Sequence, residues 1–384
     1  MKYPILVLSI VLSVTLVFSA IVTDKTDLYR SAFYGGYTSN IYPRPSGEDF
    51  ADKSTFGYDI YIYDKDKYYL LFKAYPFWMI AGKYPTDWGD LERGVYLSDS
   101  LPYVKGITSG YENEKLRVIF GIYTFDAALS PQELIRQKDQ TIDSNSDRRP
   151  LTIPLSGYGD PFKTLIIHRL EVRPFSGIMI AVNELNLIGG KMVDIVDVNP
   201  FGILHNTFGE GFSNTMLGVD FSAVIPYGMS VYGQFAMDDF LVPQTESGSQ
   251  AYKPTAFAYG AGLRKVFKEH NLYISPKIEF YKIYTWMYNR WQPLLKFTGR
   301  FGGIDIPMGF DYGNDMQGML IGADIFTDEK MKIFLGAEYY QKGSVDLNTS
   351  YSDNEKKKLT QFWCDLFPPV TDFFALSLKI DISY

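Results

Sequence analysis

Charged side chains recur two residues apart in several segments of this chain. Arg169, Glu171 and Arg173 form one such set, and Lys277 and Glu279 form another. In an extended strand, residues two apart leave the same face, so these acids and bases would line a common space. Such a lining is either a network of buried pairs that stabilises the wall of the fold, or a surface that passes or holds neutral polar solutes such as sugars. We call the common space that these side chains would enclose the lumen. The residues predicted to line it are Arg169, Glu171, Arg173, Asp220, Tyr232, Gln234, Arg264, Lys277, Glu279, Glu338 and Lys379.

Histidine usage argues against catalysis. The chain has 3 His, of which His168 alternates with apolar residues and is expected to be structural. His205 and His270 fall in a loop and a turn, and no local motif holds a base against a nucleophile. We therefore predict no enzyme activity, no cofactor and no metal site. A set of acids that could offer oxygen ligands lacks the EF-hand spacing and is expected to be solvated: Asp305, Asp311 and Asp315.

Three aromatic residues, Trp286, Tyr288 and Trp291, cluster just beyond a predicted strand end. Flat aromatic rings can stack on sugar rings, and the nearby end of another strand offers Asp238, whose carboxylate accepts hydrogen bonds from hydroxyl groups. These four residues are the predicted polysaccharide-binding set at the outer mouth. The alternative is that the aromatics form the girdle of a membrane interface.

Long alternating strands must position these residues. The clearest hairpin runs from Asn214 to Val242 around a turn at Pro226-Tyr227-Gly228, with one apolar and one polar face. Its arms exceed the usual strand of roughly 5–6 residues and suffice for a tilted membrane-spanning strand of about 9–11. Similar turns are predicted at Tyr75-Pro76-Phe77 and at Arg173-Pro174-Phe175-Ser176, all on one short-turn side that we expect to be periplasmic.

The two ends of the sequence support export. Met1-Lys2, an apolar run from Ile5 to Phe18 and then Ser19-Ala20 predict a secretory signal peptide over residues 1–20. The last residues alternate strictly between apolar and polar side chains and stop at Tyr384. This pattern resembles the C-terminal signal that the barrel-insertion machinery reads, so that machinery is a predicted partner.

The composition excludes other classes. A net charge of −7 without a basic stripe argues against a nucleic-acid partner. The single Cys cannot form an internal disulfide bond. A mean hydropathy of −0.10 is what a lipid-facing surface averaged with a polar lumen would give.

Together these features predict an all-β fold: a transmembrane outer-membrane antiparallel β-barrel of about 16 strands, within a range of roughly 14–18, surrounded by outer-membrane lipid. Residues 21–384 would form one domain. Long loops are predicted at 126–160, 188–213, 286–315 and 343–369, with a helix at Leu129–Lys138 in the first. The second could fold into the lumen. Leu28–Tyr37 is a possible first strand, and Gly94–Ser98 is predicted to be a short strand.

Short motifs in a consistent order resemble the Wzi family of outer-membrane barrels, which act in capsule polysaccharide assembly. They are Trp88-Gly89, Tyr96-Leu97-Ser98, His168-Arg169-Leu170-Glu171, Asn199-Pro200, Asn214, Asp220, Tyr232-Gly233-Gln234, Asp238-Asp239, Arg300-Phe301-Gly302 and Asp305. The resemblance spans most of the mature chain. It implies a surface lectin that holds exported polysaccharide at the cell surface and performs no chemistry.

One departure from that family affects the expected function. Its best-known members carry a helical bundle that plugs the periplasmic end, whereas here few residues separate Ala20 from the first candidate strand. The lumen is therefore expected to be open at its periplasmic end. Two functions stay open: binding or organising polysaccharide at the surface, or passive diffusion of small polar solutes through a porin-type channel.

Overall fold

Alternating apolar and polar side chains, rich in β-branched and aromatic residues, form strands because each face meets a different environment. The computed structural model describes residues 56–64, 67–138, 159–193, 198, 213–239, 256–270, 272–327, 331–349 and 371–382. The strands are β1 Phe56–Asp64, β2 Lys67–Ala74, β3 Phe77–Tyr84, β4 Val104–Glu112, β5 Leu116–Thr124, β6 Lys163–Phe175, β7 Ile178–Gly189, β8 Ser213–Ile225, β9 Met229–Asp239, β10 Ala256–Lys265, β11 Phe267–Glu269, β12 Leu272–Ile283, β13 Thr298–Phe301, β14 Ile304–Pro307, β15 Met316–Thr327, β16 Met331–Lys342 and β17 Thr371–Ile382. The possible strand Leu28–Tyr37 and His205 lie outside the described residues.

The sheet is an antiparallel meander. Neighbours follow chain order from β1 to β10, then β12, β15, β16 and β17, while β11 pairs with β12. The described residues thus give a path of 14 strands, inside the predicted range and below its central value of 16. β13 and β14 form a separate two-stranded sheet within the long segment between β12 and β15.

Short turns gather at one end of the sheet. Backbone hydrogen bonds join successive turns there: Glu112 N donates to Pro76 O at 2.8 Å, and Val224 N donates to Gly177 O at 2.7 Å. The predicted turns at Pro76 and Pro226 are confirmed. The third is displaced, because β6 continues to Phe175 and Gly177, at a φ of 88°, makes the turn. The segments after β3, β5, β7, β9, β12 and β16 are longer and lie at the opposite, long-loop end.

The strands bury polar residues and expose apolar ones. On β6, Arg169 and Glu171 are each 1% exposed, whereas Leu170 between them is 47% exposed. On β12, Glu279 is 0% exposed and its neighbour Phe280 54%. This inverts the surface of a water-soluble protein and matches a wall between lipid and a polar interior. The predicted fold class, an antiparallel barrel of the outer-membrane type, is confirmed.

The sheet curves around a segment of its own chain. Arg93 contacts Glu338 on β16, while Tyr96, three residues later, accepts a hydrogen bond from Arg169 on β6 at 3.5 Å. Seven strand spacings separate β6 from β16 in the sheet order, roughly 33 Å in a flat sheet. Three residues of chain span only about 10 Å. Contacts from one short stretch to strands so far apart are those of a sheet that curves around it, and we name residues 85–103 the inner segment.

A polar row marks the upper edge of the exposed apolar surface. Lys282 Nζ donates to Gln317 Oε1 at 3.2 Å, Gln317 Nε2 to Gln341 Oε1 at 2.8 Å, and Gln341 Nε2 to Asp372 Oδ1 at 3.5 Å. These four residues lie opposite one another on β12, β15, β16 and β17, at the long-loop end. We name them the rim row. Exposed apolar side chains such as Leu335, 46% exposed, lie below them.

The predicted helix in the first long loop is present as α1, Pro131–Lys138. Ser130 and Glu133 cap it reciprocally: Glu133 N donates to Ser130 Oγ at 3.3 Å, and Ser130 N donates to Glu133 Oε2 at 2.8 Å. Such a capping box satisfies two amides that the first helical turn leaves without partners. Among the described residues, no helix has the length and apolar character to cross a bilayer.

Candidate functional site in the barrel interior

The inner segment fills space that the strands enclose. Trp88 is 1% exposed, and Val95, Tyr96 and Leu97 are each 0% exposed. The segment folds back on itself through Trp88 N, which donates to Leu97 O at 2.9 Å. Its last turn is attached to the loop after β14, where Ser98 N donates to Met308 O at 2.8 Å. The predicted strand Gly94–Ser98 is wrong: this stretch bends and does not join the sheet.

Arg169 organises the first of three polar clusters around the inner segment. Its guanidinium bonds Asp220 at 2.6 Å, Glu171 at 3.1 Å and Asn183 at 2.9 Å. Tyr96 of the inner segment donates its hydroxyl to the same Asp220 carboxylate. Charge-assisted bonds of this kind offset the cost of burying both signs. They also fix one side of the inner segment to β6, β7 and β8.

Arg117 and Arg173 extend this cluster toward the short-turn end. Arg173 Nη2 lies 2.6 Å from Glu171 Oε1, and Arg117 Nη1 lies 3.4 Å from Glu171 Oε2. Glu171 thus faces three guanidinium groups, including that of Arg169. The three guanidinium groups offset the cost of burying this carboxylate.

The second cluster joins the inner segment to β12 and β15. Lys277 Nζ lies 2.7 Å from Glu92 and 2.9 Å from Asp324. Glu279, two residues along β12, accepts the Tyr232 hydroxyl at 2.6 Å and the backbone N of Glu92 at 3.0 Å. The acid of the inner segment is therefore held by both its side chain and its backbone.

The third cluster surrounds Arg93. Its guanidinium lies 2.7 Å from Glu338 on β16, contacts Asp311, and stacks over the Tyr312 ring at 4.6 Å from the centroid. Burial disfavours its charge, but the hydrogen bond to Glu338 and the charge of Asp311 outweigh that effect and raise the pKa of Arg93 above its ordinary value. The guanidinium is therefore a permanent charge that the wall of the barrel neutralises.

Asp90 occupies a different environment. It lies 3.5 Å from Arg264 of β10. Burial raises the pKa of Asp90 above its ordinary value despite the nearby arginine. This loose pair contrasts with the short bonds around Arg93, which makes it the weakest of the charged attachments described between the inner segment and the wall.

The residues predicted to line the lumen lie on the inward-facing side of their strands. Gln234 meets the inner segment directly: its Oε1 accepts from Val95 N at 2.9 Å, and its amide nitrogen donates to Trp88 O. Lys379 lies on β17, but its side chain is outside the described part. The remaining residues take part in the clusters above or bury their polar groups beside them: Arg169, Glu171, Arg173, Asp220, Tyr232, Arg264, Lys277, Glu279 and Glu338.

The predicted stacking platform is not on the surface. Trp286 is 3% and Tyr288 0% exposed, and both belong to the main apolar core. The Tyr288 hydroxyl donates to Val95 O at 2.6 Å and accepts from Phe310 N at 3.0 Å, so it supports the inner segment. Trp291 packs against the core and keeps part of its surface exposed. Of the three aromatic rings, only Trp291 is placed to offer a face to a ligand.

Asp238 is also buried, at 5% exposure, and accepts a hydrogen bond from Asn214 Nδ2 at 2.9 Å. Asn214 further donates to Leu295 O at 3.1 Å, which ties the loop after β12 to β8 and β9. The carboxylate at the long-loop end of β9 therefore holds a loop in place. Its predicted contact with sugar hydroxyl groups stays a prediction.

The loop acids expected to be solvated are instead held by partners. Asp305 lies 2.8 Å from Arg300, and Asp311 contacts Arg93. Asp315 is 0% exposed, and it accepts from Thr285 Oγ1 at 2.9 Å and from Val345 N at 3.0 Å. Solvation was the wrong expectation because the loops pack into the mouth of the barrel rather than extending into water.

His168 is on the outward face, as its apolar parity predicted. Its Nδ1 lies 2.9 Å from Glu184 Oε2, and its ring packs against Phe120 at a centroid distance of 5.3 Å. His270 lies in the turn after β11 at a φ of 53° and is exposed. The two described histidines are thus in different parts of the wall.

Sequence reasoning missed three charged residues of the inner segment: Asp90, Glu92 and Arg93. Their partners are far away along the chain, with 187 positions between the Glu92 and Glu279 groups and 245 between Arg93 and Glu338. The available signal was a charged run, Asp90-Leu91-Glu92-Arg93, between two aromatic motifs of the family resemblance. A charged run in a loop is ordinarily read as solvent-exposed.

Comparison with known proteins found similar solved structures but no relative by sequence. No protein-family model and no curated protein matches the chain. Wzi, an outer-membrane protein involved in group 1 capsule assembly in Escherichia coli and described as a carbohydrate-binding β-barrel, is similar at 14% identity and a TM-score of 0.48, over 72% of this chain and 56% of Wzi. This chain thus covers little more than half of that structure.

Two further barrels are similar at lower identity. A porin matches at 10% identity and a TM-score of 0.35, over 73% of this chain and 77% of the porin. OccD1 (OprD) matches at 7% identity and a TM-score of 0.32, over 76% of this chain and 61% of OccD1. Such identities concern the fold alone and assign no role to this chain.

Proposed function

We propose that the protein resides in the outer membrane and acts there as a barrel with a filled interior, which binds or organises exported polysaccharide at the cell surface. One observation carries the proposal: the inner segment lies across the interior and is attached to walls from β6 to β16. A barrel filled in this way is suited to presenting its long-loop end to a ligand rather than to passing solutes.

The residues that attach the inner segment support this role. A segment that merely lies in the lumen would need only packing, whereas Glu92, Arg93 and Tyr96 each bond a charged partner on the wall. Breaking such buried pairs costs about 3–5 kcal/mol each. Two of the sequence motifs that resemble the Wzi family, Trp88-Gly89 and Tyr96-Leu97-Ser98, lie within this segment, and the resemblance favours polysaccharide as the ligand.

A second candidate is a porin-type channel for small polar solutes, favoured by the two signs of charge on the interior wall. Lys277 and Glu279 lie two residues apart on β12, and Arg169 and Glu171 lie two apart on β6. A lining of balanced charge would accept neutral solutes such as sugars. This function requires the inner segment to leave a path or to move aside, so ionic current separates the candidates.

Retention of surface polysaccharide tests the first candidate at Trp291. We expect Trp291→Ala to lower the amount of polymer retained on cells by several-fold while the barrel assembles normally, because this ring is partly exposed and carries less of the fold. Trp286→Ala is the matched control. Since Trp286 is 3% exposed, truncation should cost about 3–5 kcal/mol of stability and reduce the assembled protein instead.

Retained polymer is normalised to assembled protein, measured as the heat-modifiable band in envelopes. Two results together would contradict the polysaccharide role: equal retention per assembled molecule by wild type and Trp291→Ala, and equal total retention by wild-type cells and a strain lacking the protein. Recovery of the protein in the soluble fraction would contradict the outer-membrane location.

A further inference from the structure

The hairpin of β13 and β14 has one polar and one apolar face. On the polar face, Arg300 and Asp305 are cross-strand partners whose side chains lie 2.8 Å apart. On the other face, Phe301 and Ile304 are opposed at the tip, and Ile306 shares their side because residues two apart in a strand point the same way. Ile306 packs against the main core, whereas Ile304 is 69% exposed. The apolar face therefore runs from the core to an exposed tip.

The tip projects from the rest of the described structure. Gly302 and Gly303 connect the two strands at φ values of 58° and 83°, the pair of positive angles that a type I′ turn requires. No described atom lies within 4 Å of the position that a Cβ would take at either glycine. The polar face attaches the hairpin to α1, because Arg300 also lies 2.5 Å from Glu133. The hairpin is thus held near its polar side and open at its tip.

Phe301 places this tip beside the outward wall of the barrel. Its ring packs edge-on against Tyr103 at a centroid distance of 5.1 Å. Tyr103 comes directly before β4 and continues the outward parity of Ile107, which is 52% exposed and lies four residues, roughly 13 Å, further down the wall. Lys83, on the outward side of β3, has its Nζ 5.1 Å from the Tyr103 centroid. The hairpin therefore meets the wall just above its apolar surface.

We propose that the β13–β14 hairpin docks on the lipid surface of the outer leaflet, with Ile304 inserted among the headgroups beside Phe301 and Tyr103. Continuity with the lipid-facing wall identifies lipid as the partner, because the apolar surface of β3 and β4 leads up to Tyr103 and the apolar face of the hairpin begins there. Aromatic rings are enriched at headgroup depth, and insertion removes the apolar surface of Ile304 from water. This inference rests on the outer-membrane location proposed above but not on polysaccharide binding.

Docking at this point links the lipid surface to the inner segment. Ser100 of that segment donates its hydroxyl to Pro307 O at 2.7 Å, at the base of the hairpin. Ser98 N donates to the O of the next residue, Met308, at 2.8 Å. The strand that carries Ile304 therefore continues directly into the stretch that holds the end of the inner segment, so the docked hairpin fixes the mouth of the barrel relative to the membrane.

The depth of a spin label in a bilayer tests the docking. Labels are attached at Ile304→Cys and, as a matched control, at Ile135→Cys, both in a Cys364→Ser background that removes the single native thiol. The two isoleucines are each 69% exposed. Ile135 lies two residues from Glu133, roughly 200° around α1, so it points away from the hairpin. The full chain is reconstituted into bilayers of phosphatidylethanolamine and phosphatidylglycerol, and collisions with oxygen and with a water-soluble nickel chelate are measured.

We expect the ratio of oxygen to nickel collisions to be several-fold higher at 304 than at 135, because oxygen concentrates in lipid and the chelate in water. Equal ratios at the two positions would overturn the proposal. A label at 304 that is shielded from both reagents would also overturn it, since protein rather than lipid would then cover the tip. A label at 335 that reports hydrocarbon shows that the barrel spans the bilayer, and cell fractionation tests the outer-membrane location, so failure of the docking can be told apart from failure of the location.

Discussion

At the scale of single residues, Arg169 links two acids, an amide and the inner segment. Because Asp220 and Glu171 are each 1% exposed, removing the guanidinium leaves buried negative charge behind. Arg117 and Arg173 still neutralise Glu171, so the cost falls mainly on Asp220. The network therefore stabilises the fold only while every buried charge in it keeps a partner, and no single bond carries that effect alone.

We expect Arg169→Met to lower the free energy of unfolding in detergent by about 3 kcal/mol, the cost of an unpaired buried charge. Adding Asp220→Asn removes that charge and should recover more than half of the loss. A denaturant titration of the wild type, both single variants and the double variant measures the coupling. Strict additivity of the two changes would show that Arg169 does not act through Asp220.

The cap of α1 provides a pH-dependent contact at the residue scale. The hydrogen bond from Arg300 lowers the pKa of Glu133 from 4.5 to about 2. Since the folded-state pKa is depressed, the contact stabilises fully above the ordinary pKa and is lost as pH falls from about 4.5 towards 2. Being partly exposed, it contributes about 1 kcal/mol or less.

A spin label at Ile135, which is 69% exposed, reports the docking of α1. We expect its mobility to rise as pH falls from about 4.5 to 2, because the carboxylate gains a proton there. In Glu133→Gln the label should already be mobile at neutral pH. An immobile label in both proteins throughout this range would show that the Arg300 contact does not hold the helix.

At the scale of elements, the strands could be predicted because each has one face toward lipid and one toward the interior. On β8 the alternation predicted which side chains share a face: Leu217, Val219 and Phe221 on one face and Asp220 on the other. The observed burial follows this prediction. Helix α1 was predictable from Ser130, Pro131 and Glu133 alone. These features depend on local sequence, where spacing carries the information.

The contents of the interior were not predictable in the same way. The inner segment has no period, and its position depends on partners such as Glu279 and Glu338 that lie far along the chain. The sequence placed Trp286 and Tyr288 just beyond a strand end. It could not predict whether their side chains face the interior or the outside, because the alternation of faces in a strand does not continue into a loop. Loop residues were therefore assigned to the surface, and several of them are buried.

The rim row predicts the depth of the upper membrane boundary. Gln341 and Leu335 both face outward on β16, six positions apart, which is roughly 20 Å along the strand. We expect a lipid-exposed spin label at 341 to report headgroup depth and one at 335 to report hydrocarbon. A label at Asp239, whose side chain is outside the described part, should also report headgroup or water. Equal depths at 341 and 335 would contradict the register of the wall.

At the scale of the whole molecule, the inner segment changes what the barrel can do. The sequence suggested an interior open from below, whereas the interior contains residues 85–103 attached to β6, β8, β9, β12 and β16. Family resemblance could suggest polysaccharide as a ligand, but only the folded chain shows how its own loop occupies the lumen. The binding proposed for the long-loop end depends on this filled lumen.

Single-channel current in a planar bilayer tests this arrangement most directly. The wild type should give no stable open steps, because the inner segment fills the lumen. Deleting residues 90–97 and joining the ends with a short Gly-Ser linker should give open steps from the same assembled barrel, confirmed by heat-modifiability. A wild type that conducts in large stable steps indistinguishable from those of the deletion variant would contradict the filled interior and favour the porin-type channel.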